Sequence, residues 1–383
     1  MKKIDFSGSE YNNLLNLLSS LNLSLEDSKY IINYFYNQYS YSFDTFYNKV
    51  SLLTNYLLSF GFSKSEVGHV FYRFPAIFSY DISTFEERVN YFEKIGYSKK
   101  DIIRMCSFTP AILGRCSEVI SNRIDFITKL GYTRDDVFTM SKKAPGIFTH
   151  SEQYILDRIN YFVKLGISYE DALRCFKKTP TLISFSDEAL NEKINNLINL
   201  GFKKDVVVSI IRLNPSILGY TFESLNNKIN SFMALGFSRD EVIDLLTSAK
   251  ASFTMDPKSL EEKINKYISY GYSKEEILNM IKRNPSISTY SLSNTCEKIE
   301  FFNSVGLHNL VIASPKNLIQ SLTLTKARYG FYKARGISIT QDNYKQLFMG
   351  EKPFIKKYNK TNEEIIEKYG EKRLILKKTV DKE

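Results

Sequence analysis

Apolar residues in the central part of the chain follow a helical spacing that restarts every 35 residues. If each unit is numbered from a recurrent glycine, apolar residues occupy position 7 and mostly positions 10 and 11, as in Val67, Val70 and Phe71. A second set occupies positions 25, 29, 32 and 35, as in Ile229 and Phe232. Because residues three and four apart lie on one face of a helix, each unit is predicted to contain two amphipathic helices.

Glycine and proline mark the ends of these helices. The proline at position 15 must end the first helix, because its ring and its missing N–H do not fit a helix interior, and it is predicted to open a short turn or 3₁₀ segment. The glycine at position 1 is predicted to end the second helix in a left-handed conformation. The glycines are Gly61, Gly96, Gly131, Gly166, Gly201, Gly236, Gly271 and Gly306. The prolines are Pro75, Pro110, Pro145, Pro180, Pro215 and Pro285, with Lys250 in the remaining unit.

A polar residue precedes each predicted helix. Position 3 is Ser or Thr in six of seven units and position 6 is acidic in the same six, which is the capping-box arrangement of a helix N-terminus. A second cap is predicted at position 21, with Cys116 as the exception. The capping-box pairs are Ser63 with Glu66, Ser98 with Asp101, Thr133 with Asp136, Ser168 with Asp171, Ser238 with Glu241 and Ser273 with Glu276. The second caps are Asp81, Ser151, Ser186, Thr221, Asp256 and Ser291.

A unit of this size cannot bury a core alone, so neighbouring units are predicted to stack. The fold class predicted is all-α, a curved superhelical solenoid of either hand with about seven clear helix–Pro turn–helix repeats. The repeats cover residues 61–305, after a divergent N-terminal helical cap at residues 1–60. Residues 306–350 are predicted to form C-terminal capping helices and residues 351–383 a charged tail.

Composition and motifs give no support to an enzyme. The three His residues and four Cys residues lack metal-ligand spacing, and neither a GxGxxG nor a GxxxxGK[ST] loop occurs. We therefore predict a non-enzymatic protein with no catalytic residue, no metal and no cofactor. No apolar run approaches the roughly 20 residues of a membrane span, and the N-terminus lacks transit-peptide character, so a cytoplasmic protein without membrane contact is expected.

The strongest candidate for a binding surface is a column of basic residues at position 28. It lies at the edge of the apolar stripe, where a long side chain can extend outward, and no unit has an acid three or four residues away from it. Two interpretations stay open, binding of a polyanion or pairing with an acid of an adjacent helix. The column consists of Arg88, Arg123, Arg158, Lys193, Lys228, Lys263 and Lys298.

A second set of cations, the pre-proline row, lies at the end of each first helix. Cations there favour the helix dipole, and their repetition along a solenoid also suits a phosphate backbone, in keeping with the net charge of +10. Aromatic residues at position 31 are candidates either for base stacking or for the core. The row consists of Arg73, Lys142, Lys143, Lys177, Lys178, Arg212, Lys282 and Arg283. The aromatic residues are Tyr91, Phe126, Tyr161 and Phe301.

The repeat resembles that of the mitochondrial transcription termination factor (mTERF) family. The resemblance is clearest in residues Leu235–Val242, Asn214–Leu218 and Leu225–Phe232, and residues Leu322–Arg328 are similar to the family's C-terminal segment. It implies a curved all-α superhelix whose basic inner surface binds double-stranded DNA or structured or single-stranded RNA. The sixth unit departs from the pattern at Lys250 and Ser252.

The resemblance extends the predicted binding surface beyond the repeats. It adds Lys326, Arg328 and Arg335 to the basic positions given above. It also implies transcription or ribosome-assembly proteins as further partners, a monomer, and a mitochondrial or other organelle matrix as the alternative location.

Two functions are therefore predicted from the sequence. The first is binding of a DNA or RNA backbone to regulate transcription termination, transcription initiation or RNA processing. The alternative is a helical-repeat scaffold for protein partners, in which the basic column is structural.

Overall fold

The computed structural model describes residues 8–39, 42–248 and 255–370, which form helices and connecting turns without a strand. These residues belong to two compact units. The first comprises Met1–Ile198 with Lys203–Tyr220, and the second comprises Asn199–Phe202 with Thr221–Glu383.

In the first unit and at its end, the α-helices are α1 Ser9–Ser19, α2 Leu25–Gln38, α3 Phe43–Phe60, α4 Lys64–Arg73, α5 Ile82–Lys94, α6 Lys99–Phe108, α7 Ser117–Lys129, α8 Arg134–Lys143, α9 Glu152–Lys164, α10 Tyr169–Lys178, α11 Asp187–Asn199 and α12 Lys204–Leu213. The second unit continues with α13 Phe222–Ala234, α14 Arg239–Ser248, α15 Pro257–Ser269, α16 Lys274–Arg283, α17 Leu292–Ser304, α18 His308–Ala313, α19 Leu322–Lys333, α20 Glu351–Tyr358 and α21 Asn362–Tyr369. The described 3₁₀ segments are Pro75–Ser79, Pro110–Gly114, Pro145–Phe148, Pro180–Ser184, Pro215–Gly219, Pro285–Thr289, Pro315–Ile319 and Tyr344–Phe348.

The predicted order of helix, proline turn, helix and glycine turn is confirmed. In the first repeat, α4 ends at Arg73, a 3₁₀ segment begins at Pro75, and α5 follows. Each of the eight recurrent glycines has a positive φ, for instance 110° at Gly96, where the chain leaves α5. A left-handed residue at this place ends the helix and turns the chain into the next repeat. The departures at Lys250 and Ser252 lie outside the described residues.

Most of the predicted caps are confirmed by hydrogen bonds. Ser63, Ser98, Thr133 and Ser273 form complete capping boxes with the acid three residues later. Asp81 is an exception, because its side chain makes no capping hydrogen bond. Its carboxylate instead lies 3.5 Å from the ammonium of Lys49 on α3, which draws it away from the start of α5.

Within each unit, equivalent elements of neighbouring repeats pack on each other. In the first unit, α4 packs on α6 and α6 on α8, while α5 packs on both α3 and α7. In the second unit, α13 packs on α15, α16 on α18 and α17 on α19. First helices, 3₁₀ segments and second helices therefore form separate layers, with the apolar positions of the repeat buried between them.

The chain after Gly306, where C-terminal capping helices were predicted, continues the helix–proline turn–helix order as a shortened repeat. The first helix, α18, has only six residues, and Pro315 then begins a 3₁₀ segment that leads into α19. The predicted charged tail also begins with structure, since α20 and α21 occupy part of it. Phe354 and Ile365 are buried, and α21 packs on α19. Residues 371–383 lie outside the described part of the chain.

Candidate nucleic-acid interface

The basic column at position 28 points toward the next repeat rather than outward. Arg158 is representative, with a side chain that is only 8% exposed. Its Nη1 donates to the carbonyl oxygen of Phe185 at 3.0 Å, and its Nη2 pairs with the carboxylate of Asp187. The guanidinium also lies 5.2 Å from the ring centre of Tyr154. Arg158 thus joins α9 to the end of the following 3₁₀ segment and to the start of α11.

The same contact recurs along the column. The last carbonyls of a short helix have no partner within it, and the cation of the preceding second helix donates to them. We call these residues the carbonyl clamps. The acceptors are Leu113 for Arg88, Phe185 for Arg158, Tyr220 for Lys193, three carbonyls from Ile287 to Tyr290 for Lys263, and Leu318 for Lys298.

Lys263 is the most buried member of the basic column. Its side chain is buried, and its ammonium donates to the carbonyl oxygens of Ile287, Ser288 and Tyr290 at 3.2, 2.8 and 2.6 Å. Three acceptors match the three N–H groups of an ammonium. Burial nevertheless lowers the pKa of Lys263 to about 8, because a low-dielectric site disfavours the charged form.

Two members of the column differ from this pattern. Arg123 lies 3.9 Å from a carboxylate oxygen of Glu152, and among the described residues its buried Nε and Nη1 have no hydrogen-bond partner. For Lys228, most of the corresponding stretch of the next repeat falls outside the described residues. Burial lowers the pKa of both side chains.

The column therefore has a structural role in which backbone carbonyls, rather than acids alone, accept its hydrogen bonds. Acids of an adjacent helix were the predicted structural partners, and the ion pairs of Asp187 and Glu152 show that some acids do take part. Binding of phosphates by the column stays a prediction. Its side chains are already engaged with protein groups, so a ligand would have to compete with them.

The pre-proline row is more accessible, and three of its members form salt bridges between repeats. Lys142 pairs with Asp101 at 2.8 Å, and Lys177 with Asp136 at 2.7 Å. Lys282 pairs with Glu241 in the same way at 2.7 Å. Each acid is the capping-box residue of the preceding first helix, so these lysines connect two neighbouring first helices. The lysine hydrogen bond is the main cause of the lowered pKa of each carboxyl.

Other members of the row remain on the surface. Lys178 donates to the carbonyl oxygen of Leu213 at 3.2 Å, and Arg283 donates to that of Ile312. Arg73, Lys143 and Arg212 are exposed, and their side chains form no ion pair or hydrogen bond with a described residue. In the first unit, exposed cations thus recur at the last turn of α4, α8, α10 and α12.

The residues that the resemblance added have three different environments. Arg328 is buried and acts as a further carbonyl clamp, because its guanidinium donates to Leu347 and Met349. Arg328 follows Lys298 by fewer than 35 residues, so a column built on the 35-residue period does not include it, although its contact is equivalent. Lys326 is half-buried, with its ammonium 5.9 Å from the ring centre of Phe301. Arg335 is exposed and lies 4.1 Å from the ring centre of Phe331.

The aromatic residues at position 31 are half-buried rather than fully exposed. Tyr161 donates to the side-chain oxygen of Asn191 at 2.7 Å. The ring of Phe126 lies 5.6 Å from the guanidinium of Arg123, and Phe301 contacts Tyr329 edge-on. Their neighbours within the repeat array occupy much of the surface that a base would need.

No group of His, Cys, Asp or Glu within residues 8–39, 42–248 and 255–370 has an arrangement that could hold a metal ion. His150 instead stacks on Tyr154, and His308 stacks on Tyr272. A helix with the length and apolar character needed to cross a bilayer is likewise absent from this part of the chain.

Comparison with family models places these repeats in a known family. The mTERF family model matches residues 8–164 and 223–341, which together make up more than half of the chain. A comparison with curated proteins gives no match. The matched segments contain six of the eight recurrent glycines, four of the six prolines at position 15, the clamps Arg88, Arg158, Lys263 and Lys298, and the shortened last repeat. The chain therefore belongs to the mTERF family, whose members are generally nucleic-acid-binding helical-repeat proteins.

Proposed function

We propose that this protein has no enzymatic activity and binds the phosphate backbone of DNA or RNA, and that it regulates transcription or RNA processing through this binding. The observation that carries the proposal is the pre-proline row of the first unit. Arg73, Lys143 and Arg212 occupy the last turn of alternate first helices, α4, α8 and α12, and all are exposed. Regularly spaced cations can displace the counterions of a nucleic-acid backbone.

The row is a better candidate than the column for three reasons. The side chains of Arg73, Lys143 and Arg212 form no ion pair or hydrogen bond with a described residue, whereas the carbonyl clamps are largely buried. The first helices that bear the row stack on one another within the unit. A cation at the last turn also points away from the apolar stripe, so a ligand can contact it without disturbing the core.

The test is a titration against duplex DNA, single-stranded DNA and RNA at several salt concentrations. For nucleic-acid binding, log K falls linearly with log salt, with a slope near −0.9 for each phosphate neutralised on duplex DNA. The triple variant with Arg73→Glu, Lys143→Glu and Arg212→Glu is expected to flatten this slope by about 0.9 for each phosphate that it no longer neutralises. Helical circular dichroism should not change, because all three side chains are exposed.

A matched control uses three exposed lysines at the last turn of second helices in the same unit. Lys94→Glu, Lys129→Glu and Lys164→Glu change the net charge by the same amount on a different layer. This variant should keep most of the slope. Equal flattening in both triples would contradict the assignment to the row, and absence of binding to all three nucleic acids at low salt would contradict the function.

A protein-binding scaffold is the second candidate, and the carbonyl clamps favour it. They explain why position 28 is basic without any ligand, which removes one reason to expect a polyanion. Under this alternative the titration shows no binding to any nucleic acid, and the row pairs with acidic groups of a protein partner.

A further inference from the structure

The first helices of neighbouring repeats are linked by salt bridges at three places but not between α4 and α6. The three links are the pairs of Lys142, Lys177 and Lys282 with the acid of the preceding capping box. At the α4–α6 junction, the acid is Glu66 and the residue in the lysine position is Ser107. The hydroxyl of Ser107 is buried without a hydrogen-bond partner in the described structure, and it is too short to reach across.

A groove of about 510 Å³ opens at this junction, which we call the α4–α6 groove. It is lined by Glu66, Lys100, Ile103, Arg104, Ser107 and Phe108. By contrast, the cavity that the linked pair Glu241 and Lys282 lines has a volume of only about 100 Å³. The missing lysine thus coincides with a wider space between two first helices.

Phe108 gives the groove an apolar edge that solvent can reach. It is 64% exposed, the largest exposed fraction among the large apolar side chains of the described residues. The equivalent position is a cation in four other repeats, at Arg73, Lys143, Lys178 and Arg283, and an exposed leucine, Leu213, in a fifth. Exposed aromatic side chains beside a groove are typical anchors of protein interfaces. No other part of the described chain covers Phe108.

The charge at the groove is also unusual for this array. Position 5 is acidic in five units, at Asp135, Glu170, Asp205, Asp240 and Glu275, whereas the second unit has Lys100 there. Arg104 lies one turn later on the same face of α6. Both are exposed, and the side chain of neither forms an ion pair or hydrogen bond with a described residue. The side chain of Glu66 is held by the backbone N–H and hydroxyl of Ser63, both at 2.8 Å.

We propose that the α4–α6 groove binds a short acidic segment of a partner protein. An apolar side chain of that segment occupies the groove against Ile103 and Phe108, and its carboxylates pair with Lys100 and Arg104. A nucleic-acid backbone fits less well, because the groove is bounded by the apolar side chains of Ile103 and Phe108, which offer a phosphate no hydrogen-bond donor. This surface is separate from the pre-proline cations used in the proposed function.

The test begins with a library of short random peptides selected on the full chain. Peptides that combine Asp or Glu with Phe, Leu or Trp are expected to be enriched. The best selected peptide, labelled with a fluorophore, is then titrated by anisotropy against the full chain and its variants. Its charge-reversed counterpart, with Lys in place of each acid, should not bind.

Two variants change the groove: one links its two helices, and the other replaces its aromatic edge with a cation. Ser107→Lys supplies the link to Glu66 that other repeats have, and Phe108→Lys supplies the cation of position 13. Each is expected to weaken peptide binding by about tenfold or more. Phe108 is exposed, so Phe108→Lys remains informative if Ser107→Lys disturbs packing. The matched control is Leu213→Lys, which makes the same change at the equivalent exposed position of α12 and should leave the affinity unchanged.

Three outcomes would overturn the proposal. The first is the absence of any enriched acidic peptide, and the second is equal binding by the wild type and both groove variants. The third is a loss of nucleic-acid affinity in the groove variants without peptide binding, which would assign the groove to nucleic acid. The proposal is supported if acidic peptides are enriched and both groove variants bind them more weakly than the wild type does.

Discussion

Lys263 shows how a single cation can be held inside a helical repeat. Burial of an ammonium is costly unless hydrogen bonds replace its hydration, and here three backbone carbonyls do so. These carbonyls lie at the end of a 3₁₀ segment, where intrahelical donors run out. The carbonyl of Ile287 also accepts from the N–H of Tyr290 at 3.3 Å, so those of Ser288 and Tyr290 depend most on the lysine. Lys263 therefore obtains acceptors for its own ammonium and supplies a donor to the carbonyls of the 3₁₀ segment.

The first prediction concerns the removal of this donor. Lys263→Met keeps a long apolar side chain but removes the donor of three backbone carbonyls, of which only that of Ile287 keeps another donor, the N–H of Tyr290. We expect the free energy of unfolding to fall by about 2–4 kcal/mol, since unsatisfied buried polar groups cost about 1–3 kcal/mol each and partly find water. Urea denaturation followed by circular dichroism measures this change.

The matched control for this prediction is Lys266→Met, on the same helix. Lys266 is exposed, so its replacement should change the free energy of unfolding by less than about 0.5 kcal/mol. If the two variants unfold at the same urea concentration, the clamp contributes nothing to stability.

The inward direction of the column could not be predicted from residue identities. The sequence places position 28 beside the apolar stripe, and it shows that acids are missing three and four residues away. The acceptors of Lys263 and Lys298 are backbone carbonyls, and every residue type has one, so no side-chain pattern indicates them. The ion pair between Arg158 and Asp187 was partly predictable, because Asp187 lies next to a predicted cap position.

At the scale of elements, the capping box serves two helices rather than one. Asp136 accepts hydrogen bonds at the start of α8, and it also pairs with Lys177 of α10. The hydrogen bond from Lys177 is the main cause of its lowered pKa. A residue that begins one helix thus attaches the next first helix to it.

The second prediction is a pH-dependent coupling between Asp136 and Lys177. In a double-mutant cycle with Asp136→Asn and Lys177→Met, we expect a coupling of about 0.5 kcal/mol near neutral pH, because the pair is partly exposed. A lowered carboxyl pKa adds stability above the ordinary value of about 3.9. That stability is lost as the pH falls through the lower pKa of the folded state, so the coupling should vanish in strong acid.

The control cycle combines Asp136→Asn with Lys143→Met instead of Lys177→Met. Lys143 is exposed and makes no ion pair with Asp136 in the described structure, so the coupling should be zero within error at every pH. A coupling between Asp136 and Lys177 that persists unchanged in strong acid would contradict the ion-pair explanation.

Helix boundaries were predictable wherever a local rule fixes them. The capping boxes and the glycine turns follow from residues within one repeat, and the structure confirms both. The shortened α18 and the helices α20 and α21 were not predictable, because they depend on packing between distant residues. Phe354 and Ile365, for example, are buried in the part of the chain that charge alone marked as a tail.

At the scale of the whole molecule, the net charge of +10 does not show which cations a ligand can reach. Five column residues and Arg328 donate to carbonyls of the protein. Lys142, Lys177 and Lys282 form salt bridges. The cations left for a polyanion are those whose exposed side chains have no such partner, as at Arg73 and Lys143.

The third prediction separates the two basic sets by their effects. Arg158→Gln with Lys193→Gln removes two clamps, and we expect it to lower the free energy of unfolding by about 2 kcal/mol while the salt dependence of nucleic-acid binding stays unchanged. The triple Glu variant of the pre-proline row is expected to flatten the salt dependence of nucleic-acid binding and to leave the free energy of unfolding unchanged. Denaturation and salt titrations on the same preparations check both.

The outcome that contradicts this separation is a clamp variant that stays fully stable and loses affinity for nucleic acid. In that case position 28 would contact the ligand, and the carbonyl contacts would be secondary. Titrations must be made well below the unfolding midpoint of each variant, so that unfolding is not mistaken for weaker binding.

The carbonyl clamps also bear on how such an array changes length during evolution. In the full repeats each donor lies at position 28 of one repeat, and its acceptors lie near the 3₁₀ segment of the next. If residues 96–130 were deleted, Arg88 would precede the 3₁₀ segment Pro145–Phe148 at the same spacing as it now precedes Pro110–Gly114. Gain or loss of a whole repeat therefore leaves each clamp beside an equivalent 3₁₀ segment, which makes the repeat a unit that recombination can exchange.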